Sequence, residues 1–124
     1  MANEIQVTAS LSVSSNGISI SGSKTLSATL AGNAYASTVQ SLSGTTREAI
    51  SIAADITLGG FMFIQNLSTT GTAVIQFDNA AADATNTIAA LLPGEVCLFK
   101  PASGATVYAT PTESMDIAIV VSEL

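Results

Sequence analysis

The sequence predicts an all-β fold: a single-domain antiparallel β-sandwich, jelly-roll-like, or a small barrel, with about eight or nine strands over residues 1–124. Three observations predict it. The chain opens on a strict alternation, Ile5, Val7, Ala9, Leu11 and Val13 against Gln6, Thr8, Ser10 and Ser12, which marks a half-buried strand. Turn signals recur at short intervals along the rest of the chain, including Asn16-Gly17, Gly32-Asn33, Ser43-Gly44, Gly59-Gly60 and Pro93-Gly94. No segment sustains a helical period, and short strands broken by turns are what a sandwich or small barrel produces.

The first element is a long hairpin over residues 4–30. Asn-Gly favours a two-residue turn because both residues tolerate positive φ. A turn on Asn16 and Gly17 sets Val13 opposite Ile20, Leu11 opposite Gly22, Val7 opposite Leu26 and Ile5 opposite Ala28. The apolar side chains of both strands then share one face, which a slip of one residue would destroy. A bulge is expected near Gly22, and the apolar face is expected to join the domain core. Tyr35–Leu42 reads as the next strand, followed by Arg47–Ala53, where Ile50 and Ile52 share a face. Residues 55–60 read as loop, Phe61–Gln65 as strand, Ser68–Gly71 as turn and Ala73–Phe77 as strand. Residues 78–87, rich in Ala, Asp and Asn, read as loop or one helical turn. Ile88–Leu92, Val96–Phe99, Thr106–Thr110 and Asp116–Ser122 complete the set, with a turn at Pro101–Gly104.

Three of these strands are apolar on both sides. Phe61 and Phe63 point one way while Met62 and Ile64 point the other, and Val96–Phe99 and Ile117–Val121 behave alike. One face of an antiparallel sandwich normally meets water. Either these strands lie under long loops or another subunit covers their outer faces. Subunit contact is the favoured reading, with Phe61, Met62, Phe63, Ile64, Val96, Phe99, Ile117 and Ile119 as candidate contact positions.

Composition favours the same reading. Ala, Ser and Thr number 51 of 124 residues and aromatics make up only 5%, so the core of a monomer would be thin. Charged residues are 10%, against about 25% in ordinary globular domains. Net charge is −6, and Lys24, Arg47 and Lys100 are the only cations. Direct nucleic-acid binding is not expected, since it needs clustered Lys and Arg. No apolar run approaches the roughly 20 residues of a membrane span, and no secretory signal is visible at residues 1–5, so no membrane partner is expected.

Chemistry is sparse. With no histidine, Ser-His-Asp and Cys-His catalysis and most zinc sites are excluded. Asp55, Asp78, Asp83 and Glu95 lack the neighbouring aromatics of a glycosidase cleft, and solvated loop carboxylates are the better reading. The segment from Asp78 to Asn86 offers hard oxygens but not the spacing of a calcium loop, so its Asp and Asn are read as turn formers. Gly59-Gly60 lacks the Lys of a phosphate loop. Cys97, unpaired and within Val96–Phe99, reads as a small core hydrophobe. No catalytic residue, cofactor or metal site is expected. A structural or assembly protein leads; a carbohydrate-binding or adhesin module follows, although Trp is absent and Tyr35 and Tyr108 stand far apart.

Several segments carry a family likeness: Ala2–Val13, Phe61–Leu67, Leu91-Leu92-Pro93-Gly94-Glu95 with the apolar strand after it, Val107-Tyr108-Ala109, and the terminal strand ending Ser122-Glu123-Leu124. In these the chain resembles small β-rich virion structural proteins of tailed bacteriophages. They are sheet and turn patterns, so no site residue is carried over. The resemblance implies a capsid cement or decoration protein, or else a minor head, tail or head-fibre component. It implies assembly into the virion from the host cytoplasm, a major capsid protein or other virion protein as partner, and a homo-oligomer, a trimer being the expectation for a decoration protein.

Overall fold

A computed structural model of the chain describes residues 5–28, 35–52, 60–78, 85–101 and 106–122. Ten strands run through them: β1 (Ile5–Ser15), β2 (Ile18–Ala28), β3 (Tyr35–Leu42), β4 (Glu48–Ala49), β5 (Met62–Asn66), β6 (Ala73–Asp78), β7 (Thr85–Leu91), β8 (Val96–Phe99), β9 (Thr106–Pro111) and β10 (Met115–Ser122). All pairings are antiparallel. The chain divides into two compact units, one holding β1 and β2 and the other holding β3 to β10.

The first unit is the hairpin in the expected register, from Ile5 opposite Ala28 to Ser15 opposite Ile18 without interruption. Asn16 and Gly17 adopt φ of 51° and 79°, the paired positive values of the turn that matches strand twist. The bulge expected near Gly22 is absent: Gly22 sits in register opposite Leu11. Nothing among the described residues of this unit covers the apolar face that is expected to join the core. Leu11 is 70% and Ile20 68% exposed, and Val13, Ile18 and Leu26 are exposed as well.

That second unit is a β-sandwich of two four-stranded sheets, β3-β10-β5-β8 and β4-β9-β6-β7. Their strands pair as nested antiparallel couples, β3 with β10, β4 with β9, β5 with β8 and β6 with β7. This is one long double ribbon rolled on itself, which then brings β10 beside β5 and β9 beside β6. Eight strands wired this way have jelly-roll order. One apolar cluster joins the sheets: Leu42, Met62, Ile64, Met115, Ile117, Ile119 and Val121 from the first, Ile50, Ala73, Ile75, Leu91, Val107 and Ala109 from the second or its extension. β10 shows the cause, its residues alternating buried and accessible from Met115 to Ser122.

Some boundaries differ from expectation. Among the described residues of the Arg47–Ala53 segment, only Glu48–Ala49 pairs as strand, although the Ile50 amide still donates to the Val107 carbonyl at 2.9 Å. β7 begins at Thr85, inside the stretch read as loop or helical turn. Residues 79–84, and with them most of that stretch, lie outside the described residues, as do residues 53–59 and 102–105, which carry the turn readings there.

Candidate protein-docking surfaces

Period-two geometry divides the eight candidate contact residues. Met62, Ile64, Ile117 and Ile119 are fully buried in the sandwich's own core, and Phe99 packs against that core from the inner face. These five are corrected from contact positions to core positions, because alternate residues of an outer-facing strand must point inward. Phe61, Phe63 and Val96 point outward; the first two are half-buried and Val96 is 51% exposed.

The outward side chains of β3-β10-β5-β8 form rows across the sheet. One row runs Ser37, Val120, Phe63, Leu98 and the next Val39, Ala118, Gln65, Val96. Val39 is 61% exposed, and Val120 and Leu98 are exposed too. Tyr35, opposite Ser122, extends the apolar surface at one end. At the other end, Ser41 donates to Asp116 at 2.7 Å. Neither row carries a charge. Val39, Leu98 and Val120 are exposed apolar positions on this face that the eight candidates omitted. Leu98 and Val120 follow from the alternation already read in their strands, whereas β3 signals only weakly because its inward side is Ala36, Thr38, Gln40 and Leu42.

The outer face of the other sheet is different in kind. Its rows carry Tyr108, Gln76 and Thr87, and then Thr110, Val74 and Ala90. Thr110 donates to Gln76 at 2.8 Å, and the Arg47 guanidinium lies 4.2 Å from the Tyr108 ring centroid. Polar and aromatic groups occupy that face and are partly paired with one another, whereas β3-β10-β5-β8 exposes rows of apolar side chains.

Of the carboxylates considered in the sequence, Glu95 has structural work. Glu95 accepts from the Leu92 amide at 2.8 Å and its own amide donates to the Leu92 carbonyl at 3.0 Å, closing the Pro93-Gly94 turn, where Gly94 has φ of 79°. Asp55 and Asp83 lie outside the described residues. Cys97 faces the core beside Ile64, and burial pushes its thiol up to about 11, so it stays protonated at neutral pH. Among the described residues, no group of three or more His, Cys, Asp and Glu is placed to hold a metal ion, and no helix is long and apolar enough to cross a membrane.

The hairpin supplies a second apolar surface. Odd residues of β1 and even residues of β2 share one face, and the opposite face is Gln6 followed by nothing but Ser and Thr. Among the described residues, neither β1 nor β2 has a second sheet neighbour.

No protein-family model matches the chain, and no curated protein matches it in sequence. Among solved structures, the mitogen derived from Yersinia pseudotuberculosis is similar at 14% identity and a TM-score of 0.46, over 73% of this chain and 86% of that one. At that level the likeness carries no functional argument, and the fold assignment rests on the strand order itself.

Proposed function

We propose that this chain is a non-enzymatic virion structural protein, a cement or decoration protein that docks on the major capsid protein of an assembled phage head. The observation that carries the reading is the apolar outer face of β3-β10-β5-β8, with Val39, Phe63, Val96, Leu98 and Val120 in adjacent rows that carry no charge. Supporting it are the low charge content, the likeness of the strand and turn patterns to phage virion proteins, and jelly-roll strand order. Jelly rolls are common in viral capsids, an analogy at the level of fold alone.

A cement protein works by linkage: it binds the assembled lattice and not the free subunit, so its binding free energy adds to shell stability. An apolar sheet face suits that task, because shape and area recur identically at every lattice position while few charges need matching. The test is binding of the purified full-length protein to heads that lack it, with shell melting followed in parallel. Wild type raises the melting temperature, and Leu98→Glu or Val120→Glu removes the effect while leaving the sandwich folded. A wild-type protein that ignores such heads, or variants that bind as well as wild type, would overturn the proposal. Retention on an oligosaccharide array in place of heads would favour the carbohydrate-binding alternative.

A further inference from the structure

We infer that the β1–β2 ribbon is a self-association element, and that what covers its apolar face is the same ribbon of other copies of this chain. The ribbon runs eleven paired positions in unbroken register. Leu11, Val13, Ile18, Ile20 and Leu26 stand exposed on one face. A two-stranded hairpin is at best marginally stable alone in water, and a face of this kind is stable when covered.

Charge selects the occupant. Within the ribbon, residues 5–28 hold one charged side chain, Lys24, whereas residues 33–123 hold eight acidic and two basic ones. Bringing two sandwiches together opposes like net charge, whereas ribbon against ribbon joins nearly neutral surfaces. Lys24 shares the apolar face opposite Ala9, and its stem extends that face while the ammonium reaches toward the margin.

Area and edges select the number. Eleven residues at about 3.4 Å each, on a face roughly 10 Å wide, give about 400 Å² per ribbon. Two stacked ribbons then bury about 800 Å², short of the roughly 1,200 Å² at which specific interfaces begin. They also leave every strand edge unpaired. A closed ring, with β1 of one copy pairing β2 of the next, satisfies the edges and turns all the apolar faces inward. Its outside is then the Ser and Thr face. Such head-to-tail contacts close as a cyclic oligomer of three or more copies.

The experiment is sedimentation of the full-length protein over a wide concentration range. Wild type sediments as a closed oligomer larger than a dimer. The double variant Leu11→Glu with Ile20→Glu weakens association by more than about tenfold, whereas Ser10→Glu with Ser21→Glu, on the hydroxyl face, does not. Lys24→Leu strengthens it. Circular dichroism of each variant confirms that the sandwich stays folded. A monomeric wild type, or an oligomer indifferent to the Leu11 and Ile20 changes, overturns the inference. Head binding separates this inference from the docking proposal: a ribbon variant that is monomeric yet still binds heads supports both assignments.

Discussion

Asn66 is the residue on which the end of the sandwich hangs. It is fully buried at the close of β5, and its amide group donates to the Gly71 carbonyl at 2.8 Å and the Leu91 carbonyl at 2.9 Å. Its side-chain oxygen accepts from the Ser68 amide at 2.8 Å, and its backbone joins the Gly94–Glu95 turn. One side chain thus ties β5, the loop after it and the end of β7, with every donor used. Asn66→Ala leaves two carbonyls and an amide without partners and is predicted to cost about 3 kcal/mol. Asn66→Asp costs more, since a carboxylate would face the same carbonyls. Urea unfolding checks both, and a loss below about 1 kcal/mol for Asn66→Ala would contradict this role. Nothing in the sequence marks Asn66 for this role: Asn66-Leu67-Ser68 matches a glycosylation sequon, a three-residue pattern common by chance. Cys97 makes a second prediction at this scale. With its thiol pushed up to about 11 and turned inward, alkylation at neutral pH is predicted to be much slower in the native protein than in urea. Equal rates would mean that β8 opens freely.

Among the elements, legibility followed the range of the interactions that define each. The hairpin register could be read in full because an Asn-Gly turn and two alternating strands are local and agree with each other. The sandwich strands could be found but not ordered: alternation says which residues share a face, not which strand lies alongside. Nothing local indicates that β10 sits between β3 and β5, or that Glu48–Ala49 pairs with Tyr108–Ala109. Burial was not legible in the same way. The ribbon's apolar face has the alternation of a core face, and alternation does not say what covers it. The apolar outer face of the sandwich lay between these cases. The three two-faced strands were visible, and β10, β5 and β8 turn out to be neighbours in one sheet, so their outward residues merge into a single patch. A test at this scale targets the turn. Gly17 has φ of 79°, where a β-carbon costs about 1–2 kcal/mol, so Gly17→Val is predicted to loosen the ribbon. Because the ribbon and the sandwich are separate compact units, hydrogen exchange should speed up across β1 and β2 and stay unchanged in β5 and β10. Equal loss of protection in both would show that the units unfold as one.

For the whole molecule the governing feature is the uneven distribution of a net charge of −6. Nearly all of it lies in the sandwich, while the surfaces suited to contact, the ribbon face and the outer face of β3-β10-β5-β8, are almost uncharged. Association through them gains free energy from apolar burial and is opposed by repulsion between acidic bodies. The sign of the salt effect follows. Raising ionic strength from about 0.01 M to 0.1 M shortens the screening length from about 30 Å to 10 Å, which weakens the repulsion and leaves apolar burial almost untouched. Self-association is therefore predicted to strengthen with salt. It should strengthen again as pH falls toward the sequence pI near 4.1, where the acidic side chains lose charge. An interface held by ion pairs would respond to salt in the opposite direction, weakening as screening removed its attraction. Sedimentation of wild type at low and moderate salt separates the two cases. Dissociation on adding salt would mean that charged groups hold the copies together and that the apolar ribbon does not.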